Sequence, residues 1–188
     1  MGDLIKGIKE NKAISALIFI IFLAFLYQEK VINLSSLPGI TNQVGTYYQV
    51  TKVTDGDTIH VDMNGTNETI RLIGINTPET VDPRTPVQCF GKEASARMKE
   101  LVAGKIVRLE YDDTQSLRDV YNRLLAYVYL EDGEMINRKM VAEGYAYEYT
   151  YMTPYKYQKE FRDLQNLART SGRGLWSKDT CNGSKVIK

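Results

Sequence analysis

The sequence predicts an α+β domain built on five strands, compatible with a small closed β-barrel, preceded by an apolar N-terminal segment. Three observations predict it: β-branched runs with period two, three helical patterns that each end at a glycine, and a charge-free apolar run over residues 13–27. In chain order, Gly45–Val53 reads as the first strand. Thr58–Asp62 and Thr69–Ile73 then alternate around Asn64-Gly65, a strong hairpin signal, and make strands two and three. A helix over Lys92–Ala103 stops at Gly104 and hands over to a strand at Lys105–Tyr111. The fifth strand is Leu124–Leu130, followed by a helix over Met135–Glu143 closed by Gly144 and another over Pro154–Thr170 closed by Gly172. No internal repeat or low-complexity segment interrupts this order.

The 188 residues, 43% hydrophobic and 25% charged, suffice to bury one core and give no sign of a second. A net charge of +1 excludes a broad basic field, so contacts to nucleic acid must come from local arginines and lysines. The apolar run at residues 13–27 follows Lys6, Lys9 and Lys12 and precedes Gln28-Glu29-Lys30. It is shorter than the ~20 residues of an untilted span, but Lys12 and Lys30 are placed to snorkel at its ends. Leu26-Tyr27-Gln28-Glu29 offers no small-residue cleavage site, and Asn33-Leu34-Ser35 is a weak one. The segment therefore reads as a transmembrane signal anchor, with residues 1–12 as a short basic cytoplasmic tail and the globular part outside. Secretion after cleavage is the alternative. Residues 28–43 read as a linker, 44–177 as the domain and 178–188 as a C-terminal tail.

Two short segments concentrate the chemistry: Asp55-Gly56-Asp57-Thr58, and Arg71 through Asn76-Thr77-Pro78-Glu79. The hairpin folds the acidic pair back beside the arginine and the glutamate. Grouped carboxylates suit a hard cation such as calcium, and an arginine fork suits phosphate oxygens. On its own Asp-Gly-Asp is a common turn, and a single arginine is more often structural.

At these residues the chain resembles the staphylococcal nuclease, or thermonuclease, family. The resemblance continues through Phe90-Gly91-Lys92-Glu93-Ala94-Ser95, the segment Asp119–Val128, Asn137 through Gly144-Tyr145-Ala146, and Gly174-Leu175-Trp176-Ser177. It runs from about residue 44 to 177, in the family's order. It implies an OB-fold and hydrolysis of DNA and RNA phosphodiester bonds with little sequence preference, assisted by calcium and leaving 3′-phosphate ends. Arg71 and Arg123 match the catalytic arginines, whose forks stabilise charge on the equatorial phosphate oxygens. Glu79 matches the general base; because a carboxylate surrounded by positive charge holds a proton poorly, orienting the attacking water is its larger contribution.

For the metal, the resemblance implies Asp57 as principal ligand, Asp55 as a supporting ligand or a group just behind the ligands, and Thr77 through its backbone carbonyl. Asn76 departs from the family, standing where an aspartate ligand is expected, and predicts weaker calcium binding. Tyr121 matches a phosphate-contacting tyrosine, whereas Val120 replaces a lysine. Thr150 and Met152 occupy the register of the base-stacking tyrosines, leaving Tyr149 or Tyr151 as substitutes in a chain of thirteen tyrosines. The implied partner is single-stranded or locally melted nucleic acid, bound by a monomer. The alternative is a catalytically silent OB-fold module that binds nucleic acid or a protein.

Cys89 and Cys181 form a disulfide if the domain faces an oxidising compartment and remain free thiols otherwise. Two cysteines make no thiolate zinc site. The single histidine, His60, falls opposite Ile59 and Val61 and reads as an ordinary surface residue.

Overall fold

The computed structural model describes residues 46–80 and 86–184, and Gly45–Lys188 form one compact unit. The expected anchor at residues 13–27 and the linker at 28–43 lie outside the described residues. Among those described, no helix is long and apolar enough to cross a membrane.

Five strands close a barrel: β1 (Tyr47–Asp55), β2 (Thr58–Met63), β3 (Thr66–Leu72), β5 (Ile106–Glu110) and β6 (Leu124–Tyr129). The order around it is β1-β2-β3-β6-β5, with β5 returning to β1. All pairs are antiparallel except β3–β6, which is parallel. With three helices outside the barrel, this is the OB-fold expected. The helices are α1 (Gly91–Val102), α2 (Ile136–Ala142) and α3 (Gln158–Thr170).

The period-two pattern decides what the barrel encloses. Ile59, Val61, Ile70 and Leu72 are buried, while His60 and Arg71 alternate onto the other face. Asn64 and Gly65 both take positive φ, 56° and 87°, the conformation a two-residue hairpin of matching twist requires. β1 has the expected length but runs two residues later than Gly45–Val53, and it bends through register shifts at Val50/Lys52 and Val53/Asp55.

Two features escape the sequence pattern. β4 (Ile75–Asn76) pairs antiparallel with β7 (Tyr147–Glu148), two residues each, too short for periodicity to register. α3 starts at Gln158 rather than Pro154, because the preceding residues are held elsewhere: the Lys156 N–H donates to Asp112 Oδ2 at 2.8 Å and the Tyr155 hydroxyl to the Gly74 carbonyl at 3.2 Å.

The C-terminal residues pack on this body. Gly144 takes φ 78°, and a Cβ there would lie 2.4 Å from the Arg173 carbonyl oxygen, so only glycine permits this approach. Its carbonyl accepts from Leu175 N–H at 2.9 Å, fixing the 3₁₀ turn Gly174–Trp176. Beyond it, Cys181 is buried and bonded to Cys89 with 5.9 Å between the Cα atoms.

The barrel meets α2 through Asn137, which is fully buried. Its Oδ1 accepts the Val128 N–H at 2.9 Å and its Nδ2 donates to the Ile73 carbonyl at 2.8 Å. Replacing it with leucine orphans both backbone groups, and Asn137→Leu is expected to lower the unfolding free energy by about 3 kcal/mol in urea titration. A loss below about 0.5 kcal/mol contradicts this role.

Candidate functional site

The site forms where the β1–β2 turn meets the segment leaving β3. β3 is paired on both edges, so the Arg71 backbone is fixed from two sides, opposite Thr58 on β2 and Leu125 on β6. The side chain is fixed as firmly. Arg71 Nη1 donates to the carbonyls of Leu72 and Ile75 at 2.8 and 2.9 Å, and Nη2 donates to Asn76 Oδ1 at 3.3 Å. Nη2 also lies 3.1 Å from Asp57 Oδ2, an ion pair with side-chain exposures of only 11% and 9%. These contacts pair Arg71 and hold it nearly out of solvent.

Asp57 is tied in turn to its surroundings. Oδ2 accepts the Thr77 N–H at 2.9 Å and Oδ1 the Thr58 hydroxyl at 3.0 Å, while the Asp57 carbonyl accepts the Leu72 N–H at 3.0 Å. Gly56 allows the closure, since a Cβ there would lie 2.7 Å from Thr77 Cγ2. Asp57, Arg71, Asn76 and Thr77 are therefore in one hydrogen-bonded cluster.

Asp55 sits beside it. Oδ1 accepts the Gly56 N–H at 2.7 Å and the Thr80 hydroxyl at 3.0 Å, and Thr80 N–H donates to Glu79 Oε1 at 2.8 Å. Thr80 thus bridges two of the carboxylates named from sequence. Burial pushes the Asp55 carboxyl up to about 6, with the charges of Asp57 and Glu79 adding to it against the Gly56 and Thr80 hydrogen bonds.

Arg123 precedes β6 by one residue and stands two positions before Leu125, the register partner of Arg71. Its Nε and one Nη each lie 2.7 Å from Asp119 Oδ2. Burial raises the Asp119 carboxyl, but the hydrogen bonds from Arg123 and the Tyr121 N–H outweigh it and hold the group below the usual range. The Tyr121 ring is 76% exposed and lies 5.3 Å under the Arg123 guanidinium. The β3–β6 register is what relates Arg123 to the Arg71 cluster.

Tyr149 and Tyr151 stack on each other with centroids 6.4 Å apart, both exposed. The Tyr149 N–H donates to the Gly74 carbonyl at 3.0 Å, which seats this aromatic pair next to the Arg71–Asn76 segment. His60 takes no part: its ring nitrogens are 2.8 and 3.2 Å from the Thr54 and Thr69 hydroxyls.

The donors around Gly56 are all oxygen: Asp55, Asp57 and the Thr77 hydroxyl, which is buried without a hydrogen-bond partner. An orphaned buried hydroxyl packed against the Asp55-Gly56-Asp57 turn fits a hard cation. The fit is a sparse one. No group of three or more His, Cys, Asp or Glu side chains converges among the described residues, and the Asn76 oxygen is engaged by Arg71.

Sequence reasoning did not find Thr80 or Gln88. Gln88 brackets Glu79, its Oε1 accepting the Glu79 N–H at 3.0 Å and its own N–H donating to the Glu79 carbonyl at 2.9 Å. A lone glutamine nine positions from the residue it holds carries no local signature.

Because the folded Asp55 value lies above the ~3.9 of an unfolded aspartate, this group favours folding fully below that value and ceases to do so as pH rises through about 6. Raising pH from 4.5 to 7.5 in chelator is expected to cost the wild type about 2 kcal/mol more stability than Asp55→Asn. Parallel stability curves for the two proteins contradict this.

Residues 69–178 match the family model for staphylococcal nuclease homologues. Thermonuclease from Staphylococcus hyicus is 45% identical over 139 residues, covering 74% of this chain and 80% of that protein. Thermonuclease from Staphylococcus intermedius is 44% identical over 138 residues, covering 73% of this chain and 80% of that protein. Endonuclease YncB from Bacillus subtilis is 42% identical over 125 residues, 66% of this chain and 58% of that protein. With this match spanning the barrel's acidic turn partner, both arginines and all three helices, the chain belongs to the staphylococcal nuclease family.

Proposed function

We propose that this protein is a membrane-anchored, extracytoplasmic nuclease that hydrolyses DNA and RNA phosphodiester bonds with little sequence preference, assisted by calcium and leaving 3′-phosphate ends. The observation that carries the reading is Arg71, a nearly buried guanidinium held by two carbonyls, Asn76 and Asp57 at the mouth of an acidic turn. Such a group is oriented before substrate arrives, which is how electrostatic catalysis avoids reorganisation during the reaction.

Water attacks phosphorus in line with the P–O5′ bond, which breaks to leave a 3′-phosphate and a 5′-hydroxyl. Charge accumulates on the equatorial oxygens, where Arg71 and Arg123 stabilise it; Asp119 fixes the plane of the Arg123 guanidinium. Glu79 orients the water and draws off its proton, with Gln88 and Thr80 holding the glutamate. Asp55, Asp57 and Thr77 would hold the calcium, which when bound supplies positive charge to a non-bridging phosphate oxygen. Tyr149 and Tyr151 offer exposed rings for stacking of unpaired bases, which needs no sequence readout, and the exposed Tyr121 beside Arg123 offers its hydroxyl to phosphate.

The apolar run at residues 13–27 with lysines ahead of it supports anchoring with the domain outside. The Cys89–Cys181 disulfide supports an oxidising compartment. The kinship with thermonucleases and an endonuclease supports the reaction class.

Cleavage of single-stranded DNA is expected with calcium and is expected to fall at least about a hundred-fold in chelator. A folded protein that binds the DNA but cuts nothing at any calcium level contradicts the reading and makes this a binding module.

A further inference from the structure

We propose that Gln88 is a positioning residue for Glu79, and that the adjacent Cys89–Cys181 disulfide holds it in place so that turnover follows the state of that bond. The proposal rests on the reading of Glu79 as the residue that acts on water.

The two Gln88 bonds grip both backbone polar groups of Glu79 at once, at 3.0 and 2.9 Å. The backbone of the glutamate is thus set by residue 88 and its carboxylate in part by residue 80. Packing reinforces the bracket. A Cβ on Gly91 would lie 2.7 Å from Thr80 Cγ2 and 3.0 Å from the Glu79 carbonyl oxygen, so the strap Pro78–Thr80 lies directly on the start of α1.

The turn that presents Gln88 is strained. Phe90 takes φ 68°, a left-handed conformation that a bulky side chain adopts only when its surroundings over-determine it. Two anchors flank that position. The Phe90 ring packs against Tyr145 at 5.4 Å, and Cys89 is bonded to Cys181. Cys181 is itself fixed, being 4% exposed in a turn where Asn182 N–H donates to Ser177 and Gly183 N–H to Leu175, each at 2.9 Å. The Tyr147 hydroxyl donates to the Gly183 carbonyl at 3.3 Å, and Tyr147 pairs with Asn76 across β4–β7. The C-terminal turn therefore touches both flanks of the site, one covalently.

An external dithiol cleaves the S–S bond to two thiols and is itself oxidised to a disulfide. Gln88 then loses the covalent tether of its neighbour while its own hydrogen bonds remain chemically possible, and Glu79 gains positional freedom. Misplacement on the scale of 1 Å costs about a hundred-fold in rate where geometry is limiting.

The test measures kcat and KM on single-stranded DNA at saturating calcium for the full-length protein, oxidised and treated with dithiothreitol, alongside Gln88→Met, Gln88→Glu and Glu79→Ala. Expected are a kcat about ten-fold lower on reduction and in Gln88→Met with KM within about two-fold, and recovery to within about three-fold in Gln88→Glu, which restores an acceptor oxygen. In Glu79→Ala, adding Gln88→Met or dithiothreitol is expected to lower the residual rate no further. A slow Glu79→Ala combined with wild-type kcat in both Gln88→Met and the reduced protein overturns the positioning role alone. An equal loss from Gln88→Met with and without Glu79 overturns it too. Wild-type turnover in Glu79→Ala overturns the reading of Glu79 and this proposal with it. If reduction unfolds the protein by far-ultraviolet circular dichroism, the Gln88 variants decide.

Discussion

The ion pair between Arg71 and Asp57 is the contact on which the site depends. It joins the β1–β2 turn to the segment leaving β3, at 3.1 Å and almost out of solvent. A charge pair removed from water costs several kcal/mol per ion in desolvation, and the cost is offset only where further hydrogen bonds complete both partners. Here they do: two carbonyls and an amide oxygen complete Arg71, a backbone N–H and a hydroxyl complete Asp57. Removing either partner strands the other, which is why one contact fixes the acidic turn, the arginine fork and the Asn76–Thr77 segment together.

Around that pair the structure gathers further carboxylates. Asp55 is joined to Glu79 through Thr80, and burial, with the charges of Asp57 and Glu79 adding to it, disfavours ionisation of Asp55. Negative charge gathered beside a pre-oriented arginine is costly to a resting fold and useful to a site that receives a cation and a phosphate. The opposing stabilisation comes from elements with no part in the chemistry: the barrel core, Asn137 stitching α2 to the barrel, and the disulfide closing a 92-residue separation.

The barrel was legible where side-chain periodicity and turn chemistry agree. The alternation of Ile59, Val61, Ile70 and Leu72 and the Asn64-Gly65 turn define the β2–β3 hairpin, and with it the placing of Asp57 near Arg71. What stayed hidden was built from backbone atoms or from pairs too short for a period. The carbonyls of Leu72 and Ile75 that hold Arg71 belong to no residue type, and β4–β7 is two residues per strand. Thr80 and Gln88 each act through a pair of hydrogen bonds across a loop, which neither propensity nor spacing encodes. The start of α3 moved because Asp112 captures the Lys156 N–H, a partner 44 residues away.

The coupling between Arg71 and Asp57 is measured most directly by a double-mutant cycle on kcat/KM for single-stranded DNA at saturating calcium, using Arg71→Met, Asp57→Asn and both together. If the pair is the hinge of the site, each single change is severe and the double is little worse than the harsher single, a coupling of about 2 kcal/mol or more. Losses that add to within about 0.5 kcal/mol contradict the account, because the two residues would then be acting independently.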